Sequence, residues 1–309
     1  MELRVLKYFL TIAREESINR AAEVLHVSQP TVSRQIHELE EQLGKELFLR
    51  GNRRIVLTND GRLLRKRAEE ILSLVDKTEQ EIMHQDEELT GDIYIASGES
   101  EAFSVFSRAA ARLHREHPLV RFHISSGDME DIADRLEKGL IDFAGVYYQP
   151  DPSLYEAIGT NFYDRFGVVM REDDPLAQKS GITPEDLWPR PLLISRQFMR
   201  YWKGTSLFDW LQKSPQDLNV TATISLLYNA SLLVREGLGL VFTFEHLLTK
   251  APGSGLCFRP LEPQLTEHMQ IVWKKYQVFS RTSEVYLRYL REAAEENLTD
   301  ASCRSPQVS

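Results

Sequence analysis

The residues with the most specific chemistry lie near the N-terminus, in the run Ser28-Gln29-Pro30-Thr31-Val32-Ser33-Arg34. A glutamine amide pairs bidentately with adenine and an arginine guanidinium with guanine, while threonine touches a thymine methyl or a phosphate. Free amides at a helix N-terminus favour phosphate as well. To act on a duplex, these side chains must stand on the exposed tip of a helix, and the local pattern supplies one. Ser28 is a strong N-cap residue, and Pro30 falls in the first turn, where its missing N–H costs little. Val32, Ile36, Leu39 and Leu43 recur at helical spacing and form a core stripe. Thr31, Arg34, His37 and Glu38 then face away from it, with Ser28, Gln29, Pro30 and Thr31 at the free end.

The elements that must hold this tip are legible around it. Residues 3–13 carry Leu3, Leu6, Phe9, Leu10 and Ala13 on one helical face. Ser17 caps a second helix from 18 to about 25, whose small face, Ala21-Ala22, lets another helix approach closely. His26-Val27 makes a tight turn, so the pair forms a helix-turn-helix. A helical hairpin with polar outer residues would suit any α-helical protein, whereas a basic β-hairpin directly after it suits a DNA reader. Short strand-like runs at 47–50 and 54–57 flank Gly51-Asn52-Arg53, a hairpin signal. Its tip carries Arg50, Arg53 and Arg54, as a wing reaching backbone or minor groove would.

Thr58 caps a further helix starting at Asn59, in which Leu64, Ala68, Ile71, Val75, Thr78 and Ile82 keep a heptad-like seam. A helix of roughly 30 residues would span about 45 Å. Such a stripe needs a partner, and a second copy of the chain is the simplest one, although the C-terminal body is an alternative. The chain's net charge of −9 is unevenly spread. Residues 1–67 hold 13 Lys and Arg against 9 Asp and Glu, a net of +4, on an acidic remainder. That asymmetry suits a nucleic-acid reader attached to something else.

From Gly91 the pattern becomes alternating strands and helices: strand 92–96, helix about 102–117, strand 120–124, helix 129–138, strand 141–146. This βαβαβ order predicts a parallel sheet with covering helices. A second unit begins near Phe162, with strands at 166–170 and 191–194, a short capped helix at 182–187, the run 221–224 before a helix containing Tyr228, and a turn and strand at 237–243. A strand at 269–273 and a helix of about 281–296 close the pattern. Ser97, Ser100, Ser125, Ser126 and Gly127 come after strand ends, where open α/β sheets bind ligands.

The N-terminal pattern resembles the LysR-type transcriptional regulators almost position for position. The matching residues are Ser17, Ala21-Ala22, Leu25, Ser28-Gln29-Pro30, Val32-Ser33-Arg34-Gln35-Ile36, Leu39-Glu40, Leu43-Gly44, Leu47-Phe48, Arg50, Leu57-Thr58 and Gly61. Residues 91–298 are similar to the effector domain of that family, a relative of periplasmic binding proteins, through Ser97, Gly139, Asp142, Pro175-Leu176-Ala177, Glu185-Asp186-Leu187, Gly237 and Gly239. The resemblance implies a multidomain chain. A winged helix-turn-helix occupies 1–58 and a linker helix 59–90. A two-lobed α/β effector domain occupies 91–298, with lobe 1 at about 91–162 and 267–298 and lobe 2 at about 163–266. It implies DNA contacts at Gln29, Pro30, Thr31, Ser33, Arg34 and wing Arg53, beside the cap Ser28. It implies effector contacts at Ser97, Ser100, Ser126, Arg196, Ser225 and Thr243. Arg196 is the only cation of that set, and a guanidinium with helix N-termini suits a small organic anion. The implied partners are double-stranded DNA, the effector, a second copy in a homodimer or tetramer, and the transcription machinery.

An enzyme on the α/β body is the main competing class, but no P-loop, GxSxG, HExxH or Cx2C motif occurs. A sequence-indifferent DNA-compacting protein is another alternative. No cofactor is expected. Cys257 and Cys303 lack metal-ligand spacing and the cationic setting of a sensor thiol. No run is long and apolar enough to span a membrane, no signal peptide is evident, and a cytoplasmic protein is the expected result. The polar tail after Leu298 is expected to be disordered.

Overall fold

The N-terminal unit is built from three helices, a hairpin and the start of a longer helix. A computed structural model describes residues 1–50, 55–83, 89–200, 202–247 and 255–296, and places α1 at Leu3–Glu15, α2 at Ile18–Val24 and α3 at Gln29–Leu43. Ser17 caps α2 by accepting from the Arg20 N–H, and Ser28 caps α3 by accepting from the Thr31 N–H. Val32, Ile36 and Leu39 meet Ala21 and Ala22 in one core, whereas Leu43 is exposed in the last turn of α3. Gly44 comes next at φ +64°, a left-handed C-cap that glycine adopts without strain.

The buried arc of helix α1 includes most of the expected face but is wider and shifted to one side. Val5, Leu6, Tyr8, Phe9 and Ile12 are buried and Leu3 is exposed, with Leu10 and Ala13 at the core margin. The reason is that α1 packs against α2, α3 and the next helix together, so its buried arc is wider than a single stripe. Strands β1 (Phe48–Arg50) and β2 (Ile55–Leu57) pair antiparallel with Phe48 opposite Leu57. The hairpin tip, including Gly51, Asn52, Arg53 and Arg54, lies outside the described residues.

Helix α4 (Asn59–Met83) starts where Thr58 accepts from the Gly61 N–H at 2.9 Å and donates to the Glu46 carbonyl at 2.8 Å. A Cβ at Gly61 would fall 2.2 Å from the Leu47 carbonyl oxygen, so the helix can begin this close to the hairpin only with glycine there. The seam of α4 does not wait for a second copy along its whole length. Ala68 and Leu72, with Leu64 and Ile71 beside them, pack into the core of their own N-terminal unit, chiefly against α1. Farther along, Val75 is half-buried and Thr78 exposed, while the side chain of Ile82 lies outside the described set.

The second compact unit begins at Glu87 and holds a nine-stranded mixed sheet. Strands β3 (Gly91–Ser97), β4 (Val120–Ser126) and β5 (Phe143–Val146) run parallel in the order β4-β3-β5. The crossovers are a 3-10 turn at Glu101–Phe103 leading into α5 (Ser104–Glu116), and α6 (Met129–Glu137). They cover opposite faces: Phe106 and Leu113 of α5 join one core cluster, Ile132 and Leu136 of α6 another. A single strand, β6 (Tyr155–Arg171), then runs the length of both lobes. Sequence patterning found only its second half. Residues 167–170 are continuously buried, whereas the first half alternates with exposed positions and carries no compact apolar run.

Lobe 2 continues with α7 (Pro184–Leu187), β7 (Leu192–Ser195), α8 (Arg196–Arg200), α9 (Ser206–Leu211), β8 (Val220–Ile224), α10 (Leu227–Arg235), β9 (Leu240–Phe244) and β10 (Leu256–Pro260). Helices α8 and α9 and strand β10 were not evident in the pattern. Strand β11 (Thr266–Lys274) returns alongside β6 to pair with β5 in lobe 1, and α11 (Arg281–Glu295) closes on α5. The lobes are thus joined through β6 and β11, and each has its own buried clusters on the two faces of the sheet.

Candidate functional site

The first candidate surface is the N-terminal end of α3. Ser28, Gln29 and Pro30 are exposed, Thr31 and Ser33 are half-buried, and Arg34 is exposed. The Gln29 amide has no hydrogen-bond partner among the described residues. The Ser28 and Thr31 hydroxyls lie 2.7 Å apart, so Thr31 presents its methyl rather than a free hydroxyl. Arg34 reaches only its helix neighbour Glu38, at 3.6 Å. An exposed pair at this spacing is worth about 0.3–0.5 kcal/mol, and a bidentate guanine contact about 1–3 kcal/mol, so a base would displace the glutamate. Glu40 anchors the hairpin to this helix: one carboxylate oxygen accepts from the N–H groups of Leu47 at 2.8 Å and Phe48 at 3.3 Å. Arg53, the remaining expected DNA contact, lies outside the described residues.

The second candidate is a cavity of about 400 Å³ between the lobes. Ser97, Ser100 and Ser126 line it, as their positions after β3 and β4 suggested. The other three expected effector contacts do not. Arg196 opens α8 as an exposed residue, Ser225 is exposed just before α10, and Thr243 is buried in β9 with its hydroxyl donating to the Phe244 carbonyl at 3.3 Å. None of them lies on the cavity wall. Strand-end position alone does not specify which way a side chain points once a helix starts immediately, as α8 does after Ser195.

Of the remaining wall only Ser125 was expected, as a residue at the end of β4, while Gly127, expected beside it, does not line the cavity. Gly98, Glu99 and Phe103 belong to the loop and turn after β3, and Ile124 and Ser125 to the end of β4. Lobe 2 contributes Leu227, Tyr228 and Leu247. Tyr228 and Ile124, 71% and 57% exposed, are large apolar side chains at strand or helix ends facing open space. That signal was available in the sequence only as position. Behind Ser100 lies Asp164 of β6, buried and accepting from the Ser100 hydroxyl at 2.7 Å and the Tyr147 hydroxyl at 2.5 Å. Burial holds the Asp164 carboxyl above its ordinary range, partly offset by those two hydrogen bonds. Burial and the facing carboxylate push the Tyr147 phenol well up. Cys257 is half-buried and its thiol is raised by burial, the opposite of an activated sensor, and Cys303 lies outside the described residues. Among the described residues no helix is long and apolar enough to cross a membrane, and no cluster of metal-ligating side chains occurs.

A winged helix-turn-helix leading into a two-lobed α/β body related to periplasmic binding proteins is the build of a bacterial transcription regulator. Residues 3–62 match the family described as "Bacterial regulatory helix-turn-helix protein, lysR family", and residues 86–295 match "LysR substrate binding domain". The chain belongs to the LysR family of transcriptional regulators. It is 24% identical to the uncharacterized regulator YvbU of Bacillus subtilis over 94% of this chain and 98% of that protein. It is 34% identical to the transcriptional regulator IlvY of Escherichia coli over 55% of this chain and 57% of that one. Among solved structures it superposes on CbnR, a LysR family transcriptional regulator, with a TM-score of 0.73 at 17% identity, covering 96% of this chain and 100% of that chain. A structure of CbnR complexed with its target DNA gives a TM-score of 0.72 at 18% identity, covering 95% and 100%. These relatives are named as regulators, not enzymes.

Proposed function

We propose that this protein is a cytoplasmic, sequence-specific DNA-binding regulator gated by a small carboxylate-bearing effector held between its lobes. The observation that carries the reading is the cavity whose wall is shared by lobe 1, through Ser97, Ser100 and Ser126, and lobe 2, through Leu227 and Tyr228. A ligand touching both lobes favours one lobe arrangement, and only such a differential preference can gate anything. Residues 1–58 serve as the DNA head, 59–90, which include α4 (Asn59–Met83), as the linker and 91–298 as the effector domain. Ser28, Gln29, Pro30, Thr31, Ser33, Arg34 and Arg53 form the DNA-contacting set. The free amides at the start of α10 favour the effector's anionic group. The exposed Leu63 and Leu74 of α4, eleven residues apart on one helical face, support pairing of two copies through the outer side of that helix. Two heads in one assembly would then address two half-sites.

The test is a thermal-shift screen of the full chain against small carboxylates, followed by footprinting upstream of its own gene with each hit. The reading expects sequence-specific, salt-dependent protection whose pattern changes with the hit. Protection that is indifferent to DNA sequence, or unchanged by every stabilising ligand, would overturn it.

A further inference from the structure

We infer that the occupant of the interlobe cavity is a zwitterion, an amino acid or close analogue with an apolar side chain, held by its ammonium as well as its carboxylate. This rests on the effector-site reading above and adds the ligand's chemistry. The cavity wall is polarised. Among the described residues, Glu99 is the one charged side chain lining it and has no hydrogen-bond or ion-pair partner. Its neighbour Ser100 commits its proton to Asp164, so towards the cavity it offers only a lone pair. This side therefore accepts hydrogen bonds and carries negative charge, a setting for an ammonium group.

The opposite side donates. Helix α10 begins at Leu227 with no side-chain cap, leaving its first amides free where Leu227 and Tyr228 line the cavity. Beside Ser97 in the β3–β4 ladder, the Ser126 hydroxyl has no hydrogen-bond partner among the described residues, and the Ser125 hydroxyl accepts at 2.7 Å from Arg135, which also lies 3.9 Å from Asp131. The α10 amides, joined by the Ser126 hydroxyl, suit a carboxylate. On the wall Ser97, 2% exposed, donates its hydroxyl to the Met269 thioether at 3.8 Å, a weak sulfur acceptor. Phe103 and Ile124 give the remaining wall its apolar character. A simple anion would face Glu99 with no cation on the wall to offset it, because Arg196 lies elsewhere. A simple amine would leave the α10 amides unused. A volume of about 400 Å³ lies at the small end of ligand sites, which run from about 300 to 1,000 Å³.

The test is isothermal titration of the full chain with leucine, methionine and phenylalanine, each beside its decarboxylated amine and its 2-oxo acid. At least one amino acid should bind about tenfold or more tightly than both of its truncated partners, since each removes a charge-assisted contact. Glu99→Gln should weaken that amino acid by about tenfold and tighten the 2-oxo acid, whose repulsion by the carboxylate is relieved. A 2-oxo acid that binds as tightly as its amino acid, or an unaffected Glu99→Gln variant, overturns the zwitterion while the effector-site reading stands. Binding of none of the nine probes at millimolar concentration overturns it as well. A ligand that binds yet leaves the footprint unchanged counts instead against the gating reading.

Discussion

Ser100 and Asp164 join the cavity wall to the strand that connects the lobes: the serine hydroxyl, 8% exposed, donates to the aspartate at 2.7 Å. Ser100 also caps the turn after β3 by accepting from the Ala102 N–H at 2.8 Å. One hydroxyl thus couples a cavity residue, a turn and β6.

This coupling has a pH signature. Burial first, and then the opposing hydrogen bonds of Tyr147 and Ser100, leave the Asp164 carboxyl above its unfolded value. Between the two values the folded chain binds more protons than the unfolded one, so stability falls as pH rises through that window. Asp164→Asn removes the titration but keeps an acceptor for both hydroxyls. The melting temperature of the wild type minus that of the variant should therefore decline as pH rises from about 4, the ordinary carboxyl value. A difference that is flat or grows with pH in scanning fluorimetry would remove the assigned protonation.

Arg34→Ala should weaken operator binding by about 1–3 kcal/mol and relax preference at one base pair. The variant should melt within about 0.5 kcal/mol of the wild type, because the Arg34–Glu38 pair is exposed. Competition binding against single-base operator variants checks this. Uniform weakening across all sequences would make Arg34 a phosphate contact instead.

Glu40→Ala should destabilise the head by about 1–3 kcal/mol, since it strips the acceptor from two backbone donors beside buried Leu47. Glu40→Gln keeps a carbonyl acceptor and should recover most of that loss. Chemical denaturation of both variants decides; equal losses would mean the carboxylate's charge, not its hydrogen bonds, holds the hairpin.

Across the lobes, Glu130 of α6 pairs with Arg200 of α8, and the Met129 N–H donates to the Gln197 side chain at 3.4 Å. Arg200→Ala should lower effector affinity only a few-fold, as an exposed pair is worth at most about 1 kcal/mol. The wild type should lose that advantage as salt rises while the variant changes less. Titrations at low and high ionic strength read the outcome, and an unchanged affinity at low salt would show that the pair does not favour the ligand-holding arrangement.

The head was legible because its signals are local. Ser17, Ser28 and Thr58 cap the helices they precede, and Val32, Ile36 and Leu39 recur with the helix period and are buried. The order β3-α5-β4-α6-β5 was readable for the same reason: a short buried strand and an amphipathic helix each leave a periodic trace. Ser97, Ser100 and Ser126 could be placed because strand ends in a parallel sheet share one rim.

What the tertiary structure alone decided is everything that depends on which surface meets which. The widened buried arc of α1, the packing of Ala68 and Leu72 of α4 on their own head, and the unbroken run of β6 through both lobes depend on neighbours distant in sequence. So does the cavity wall. Local periodicity specifies which residues could share a face, but burial energy is gained only against a particular partner, and that partner is chosen by the whole chain. Arg196 falls away from the cavity and Glu99 onto its wall for this reason.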